Sequence, residues 1–233
     1  EFMPPSPWFP EAVQLLRANP QYDVGVHLTL TSEWDAIKWR PLTDVPSLVD
    51  EDGYFYPTFR KREIDPGVIA LEAIDWTPTD VEQELRAQIA RVQRHIPWAS
   101  HLTFHMGGLR DDPSFQGIVD GLADEYELAV DLAAHGFERF RGFGENNTHL
   151  TSAEKKRNLL ANLENLPPGK WLFVDHPAYD TPEMRAISHL GYENVAIDRQ
   201  GVTDAWTAAQ VQEIIARRQI QLVSYADVKK GNV

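Results

Sequence analysis

Short β-branched and aromatic runs alternate along this chain with segments that carry helix-start signals, and this alternation constrains the fold more than any other feature. The runs are Val24–Leu30, His101–His105, Leu128–Leu132, Trp171–His176, Asn194–Ile197 and Ile220–Tyr225, each of strand length. Thr79-Asp80-Val81-Glu82 reads as a capping box. It opens a segment whose apolar residues Val81, Leu85, Ile89, Val92 and Ile96 recur at helical steps. Thr151 to Glu154 and Thr207 to Gln210 repeat the box. Asp112 before Pro113 and Thr181 before Pro182 read as N-caps followed by proline at the first helical position. Alternation of this kind predicts βαβ units and a parallel α/β sheet, closed as a barrel or open and doubly wound.

A chain of 233 residues suits one large α/β domain, here residues 1–233. Residues 31–76, rich in Trp, Asp, Pro and Tyr with weak periodicity, are too long for a plain connection and read as an insertion that shapes a site. With 22 Lys and Arg against 35 Asp and Glu, the net charge is −13, a field that repels nucleic acid and anionic lipid. No apolar run reaches the roughly 18 residues of a membrane span. The first residues lack the basic and apolar regions of a secretion signal, so a soluble, cytoplasmic protein is expected. There is no cysteine, which leaves histidine and carboxylate as the strong metal ligands.

The histidines carry the chemistry. A strand period of two places Val24, Val26, Leu28 and Leu30 on one face and Gly25, His27 and Thr29 on the other. The same rule groups His101, Thr103 and His105, with His105 before Met106-Gly107-Gly108. His176 closes a third run. Parallel α/β folds build their sites at the carboxyl ends of strands, so these histidines are candidates for one pocket, whereas His95, His135, His149 and His189 scatter. Two histidines from separate strands suit a hard or borderline divalent ion completed by a carboxylate and water. Asp111 and Asp112 follow His105 closely, but Asp112 is better explained as a helix cap, and alternation turns Asp175 away from His176. Aromatic rings in and near the predicted loops, Trp34 and Tyr179 foremost, are candidates for stacking on a flat face of a substrate.

The run Asp23 to Trp34, DVGVHLTLTSEW, resembles the strand motif of the YdjC-like carbohydrate deacetylases, the family that includes chitooligosaccharide deacetylase. SHLTFHMGGL resembles its second histidine motif, and VDHPAYD, AIDRQGVTD and IQLVSYADV follow in the family's order. The resemblance implies an irregular (β/α) barrel related to polysaccharide deacetylases, and a divalent metal, magnesium or zinc, held by an Asp and two His. Motif matching makes His27 and His105 the metal ligands and His176 the general acid. Family members carry paired Asp on a first strand, and this chain begins beyond it. A barrel lacking that strand is therefore expected, with an edge at which a second copy can pair as a homodimer. Thr103 stands where the family usually has Asp.

The implied function is metal-dependent removal of acetyl groups from N-acetylated amino sugars or oligosaccharides, with no nucleic-acid or membrane partner. Two alternatives stand beside it: a catalytically impaired homologue that binds carbohydrate, and a glycoside hydrolase, which requires a carboxylate pair at defined separation. In the deacetylase reading a carboxylate accepts the attacking water's proton and His176 protonates the departing amine, with Asp198 as a candidate partner for His176.

Overall fold

Three residues on each of two strands anchor the first half of the chain. In the computed structural model, which describes residues 1–233, β1 (Val26–Leu28) pairs in parallel with β2 (Leu102–Phe104), and His27 stands opposite Thr103. On the other edge of β1 the His27 amide donates to the Phe2 carbonyl at 2.9 Å, and beyond β2 the Leu102 amide donates to Leu128 at 3.1 Å. Both strands are shorter than their apolar runs. At Thr29 the backbone leaves the ladder for a side chain: its amide donates to Gln88 Oε1 at 2.9 Å, and Gln88 Nε2 donates to its carbonyl at 2.7 Å. A single glutamine thus replaces a neighbouring strand and satisfies both buried backbone groups. The expected strand Leu128–Leu132 is absent as a regular element, since Glu127 enters it at φ 54°.

The helices around these strands are α1 (Phe9–Ala18), α2 (Pro78–His95) and α3 (Pro113–Glu125). Val81, Leu85, Ile89, Val92 and Ile96 are all fully buried, each contributing roughly 1.5–3 kcal/mol of apolar burial. The cap of α2 lies two residues before the expected Thr79. Thr77 Oγ1 accepts from the Asp80 amide at 3.2 Å, and Pro78 occupies the first helical position, where its fixed φ suits the helix. Asp112 caps α3 through the Ser114 and Phe115 amides, as its sequence predicts. Residues 31–76 hold only two 3₁₀ turns, Pro46–Leu48 and Leu71–Ala73, yet they bury Trp34, Trp39, Val45, Leu48, Phe55 and Phe59. Glu84 ties this segment to α2 by accepting from the Leu42 amide and from the amide and hydroxyl of Thr43.

The chain divides into two compact units, residues 1–130 with 224–233, and residues 131–223. In the second, β3 (Phe137–Arg139) pairs in parallel with β4 (Lys170–Leu172), with Glu138 opposite Trp171. Its helices are α4 (Ser152–Glu164), α5 (Val195–Thr207) and α6 (Ala209–Arg217). Phe143, Leu159, Leu163, Val202, Ala205 and Val211 form their shared core. Thr151 makes the full capping box with Glu154 at the start of α4. Four expectations are corrected here. Asn194–Ile197 opens α5 instead of forming a strand, because Val195, Asp198, Val202 and Ala205 recur at helical spacing and are buried together. Thr207 does not cap α6: α5 runs through it, and its hydroxyl donates to the Thr203 carbonyl at 2.8 Å. Thr181 accepts from the Met184 amide at 3.2 Å but starts only a 3₁₀ turn, Met184–Ala186. Ile220–Tyr225 is likewise no strand, and Ser224 caps a last helix of the first unit, α7 (Tyr225–Lys229), in a capping box with Asp227.

Parallel strand pairs alternating with helices place the chain in the α/β class. No helix is long and apolar enough to cross a membrane.

Candidate functional site

The period-two reading of β1 holds. Val24, Val26, Leu28 and Leu30 are buried, and His27 projects from the opposite face. His27 Nδ1 lies 2.6 Å from the Thr103 hydroxyl, its partner across the ladder, and 3.2 Å from the Glu1 carboxylate. An imidazole held at Nδ1 keeps its ring plane and presents Nε2. Burial raises the Glu1 carboxyl, but hydrogen bonds with His101 and His27 outweigh it and hold that group well below the usual carboxylate range.

His105 begins a tight turn after β2 in which Met106, Gly107 and Gly108 take φ of 51°, 80° and 67°. A Cβ on Gly108 would lie 3.0 Å from the Phe115 ring, so glycine serves this position on two counts. The turn swings the buried His105 ring edge-on to His27, with centroids 5.5 Å apart at 74°. Trp39 flanks it at 6.2 Å. His105 Nε2 is 3.8 Å from Glu33 Oε1.

Glu33 is the site residue that sequence reasoning missed. It follows β1 in an irregular stretch fixed by side chains. The Trp39 amide donates to Ser32 Oγ at 3.0 Å, Trp39 Nε1 to the Thr31 carbonyl at 2.9 Å, and Lys38 Nζ to the Ser32 carbonyl at 2.9 Å. Its only sequence signal is its place just past the carboxyl end of a strand. The acidic residues weighed earlier lie elsewhere: Asp111 pairs with Arg60 at 2.7 Å, and Asp112 caps α3.

His101 has a structural environment. Its Nδ1 is 2.7 Å from Ser100 Oγ, which donates to Asp23 at 2.6 Å, and its ring lies flat on Tyr225 at 3.7 Å and 7°. A Cβ on Gly25 would fall 2.3 Å from His101 Nε2, so the ring fits only because residue 25 is glycine.

The donor chemistry of His27, His105 and Glu33 suits a borderline divalent cation. Their positions do not complete a shell, since no three His, Asp or Glu side chains converge on one point. Trp34 is 4% exposed, within the first unit. His176 and Tyr179 belong to the second unit and are both exposed. The His176 amide donates to Asp175 Oδ1 at 2.8 Å. Asp198 is directed elsewhere: its carboxylate takes the Lys155 ammonium at 2.7 Å and the Tyr192 hydroxyl at 2.5 Å.

An α/β chain with one histidine on a parallel strand and a second facing it from just past the partner strand belongs to a class of candidate hydrolase scaffolds. A family model described as YdjC-like protein matches residues 1–217, and the chain belongs to the YdjC-like family. A carbohydrate deacetylase of Thermus thermophilus is 33% identical over 190 residues, covering 71% of this chain and 65% of that protein's length. A carbohydrate deacetylase of Brevibacillus brevis is 26% identical over 239 residues, covering 94% and 84%. The solved structure of a "putative cellobiose-phosphate cleavage protein" from Enterococcus faecalis V583 superposes with a TM-score of 0.68 at 23% identity, covering 97% of this chain and 85% of that one. This likeness shows a shared fold.

Proposed function

We propose that this chain is a carbohydrate deacetylase that hydrolyses the acetamide of N-acetylated amino sugars or oligosaccharides. The observation that carries the reading is the His27–His105 pair with Glu33 beside it, in a chain whose relatives are named carbohydrate deacetylases. In the reaction, water adds to the acetamide carbonyl, the C–N bond breaks, acetate leaves and the amine nitrogen gains a proton. The Glu33 carboxylate, with His105 beside it, accepts the water's proton, and by its sequence motif alone His176 is the proton donor to the amine nitrogen. His27 and His105 would hold a divalent ion, whose contribution would be Lewis-acid polarisation of the carbonyl. Thr103 orients His27 from the opposite strand. The irregular (β/α) barrel belongs to the same proposal, and its support is two parallel strand pairs, one in each unit and each joined through a helix.

A second reading, a carbohydrate-binding homologue without turnover, is favoured by the absence of three converging ligands. Acetate release from N-acetylated chitooligosaccharides, measured with and without a chelator, tests both. Release that the chelator abolishes supports the metal-dependent deacetylase. Sugar binding without release supports the binder, and shortened chains would indicate a glycoside hydrolase.

A further inference from the structure

A cavity of about 390 Å³ opens in the second unit between residues 139–148 and Phe173–Asp175, just past the carboxyl ends of β3 and β4. Ligands of parallel α/β sheets settle at this edge, and small-molecule sites span roughly 300–1,000 Å³. The rings of Phe140 and Phe173, 6.0 Å apart, give it an apolar wall. Asn146, Asn147 and Thr148 also line it, and their amide and hydroxyl groups engage no other protein group. Asn146 takes φ 50°, ψ 46°, a left-handed conformation that asparagine tolerates better than most residues.

The charges in the wall cancel. Arg141 pairs with Glu145, the Arg139 guanidinium donates to the Val174 carbonyl at 3.1 Å, and Asp175 adds a second carboxylate to the wall. A cavity with both guanidinium groups engaged and two carboxylates nearby gives an anion no net attraction. Unengaged amides and a hydroxyl beside aromatic rings instead suit a neutral, hydroxyl-rich ring.

We propose that this cavity binds one neutral sugar ring of the substrate, with Asn147 and Thr148 reading its hydroxyl groups and setting specificity. The proposal rests on the deacetylase reading for the identity of the substrate. Asp175 carries the cavity wall directly into His176, so a ring held here lies along the same loop as the proposed proton donor.

The test is calorimetric titration of the full chain with N,N′-diacetylchitobiose, and with glucose 6-phosphate as an anionic probe. Wild type, Asn147→Ala and Thr148→Val are compared, with Asn147→Ser replacing Asn147→Ala if that variant melts early. The expected result is wild-type binding of the neutral disaccharide, weakened about five- to tenfold in each variant as for a lost hydrogen bond, with thermal melting unchanged. Variants that bind like wild type would overturn the proposal, as would a wild type that prefers glucose 6-phosphate or binds neither probe. Acetate release is assayed separately. If the variants lose sugar affinity while wild type releases no acetate, the cavity assignment stands and the deacetylase reading falls. If acetate is released and affinity is indifferent to both substitutions, the reverse holds.

Discussion

The Lys155 ammonium lies 2.7 Å from the Asp198 carboxylate, and their side chains are 0% and 4% exposed. The pair joins α4 to α5, with the Tyr192 hydroxyl on the second carboxylate oxygen and the Phe143 ring 5.0 Å from the ammonium. Removing one partner leaves the other charge buried and uncompensated, which costs about 3–5 kcal/mol. Lys155→Met and Asp198→Asn should each lower the stability measured by urea denaturation by that amount. The double variant should lose less than the sum. Additive losses would show that the two groups do not act as a pair.

Gly25→Ala places a methyl group where the His101 ring sits, 2.3 Å from Nε2. The ring cannot give way, being stacked on Tyr225 and bonded through Ser100. Overpacking of this kind costs about 1–3 kcal/mol. The expected outcome is a lower melting temperature together with loss of the ring-current shifts that the His101–Tyr225 stack imposes in NMR spectra. Unchanged shifts would contradict the packing described here.

Burial lifts the Glu84 carboxyl above its ordinary value of 4.5, against hydrogen bonds from Gln88, Thr43 and the Leu42 amide that pull it down. The folded state therefore keeps this proton to a higher pH than the unfolded state does. The stability it contributes is complete below 4.5 and declines as pH rises from there through the raised folded value. Glu84→Gln should flatten this slope when unfolding free energies are measured at pH steps across that window. A slope identical in both proteins would rule out Glu84 as its source.

Zinc or magnesium titration should reveal one site, weakened by either His27→Ala or His105→Ala. Thr103→Val, which removes the partner 2.6 Å from His27 Nδ1, should cost about 10–100-fold in affinity, and Thr103→Ser should restore it. Equal metal content in wild type and the double histidine variant would remove His27 and His105 from the ligand set.

His176→Ala should lower kcat for acetate release by about 10²–10⁴-fold, the loss expected for a general acid. Substrate affinity and metal content should stay near wild type. Near-normal turnover would assign the proton to another group, and lost metal would make His176 a ligand.

Local signals are legible in the sequence because their physics is local. The caps at Thr151 and Asp112 each act within three residues, and the alternation that sends His27 away from the apolar face follows from strand geometry alone. Thr77 and Thr79 compete for one helix start, and Pro78 decides it by its fixed φ. Asn194–Ile197 fits strand and helix alike because so short a run is ambiguous, and only the wider spacing to Val202 and Ala205 marks a helix. Glu33 and Glu84 acquire their roles from partners far along the chain, His105 and Leu42–Thr43, which no window of sequence contains. The Asp198–His176 pairing failed for the same reason: Lys155, 43 positions earlier, takes the carboxylate.

Gln88 holds Thr29 and Glu84 holds Leu42 and Thr43, one helical turn apart on α2. The chain between those anchors, which carries Glu33, Trp34 and Trp39, is thus a loop stapled shut at its base, an Ω-shaped cassette on a fixed mount. Closing such a loop costs only about 0.6 kcal/mol more for each doubling of its length. The cassette can therefore be lengthened or exchanged while β1, which bears His27, and β2, which leads into His105, keep their register, which makes it the part of this fold where substrate preference can diverge at least cost to stability.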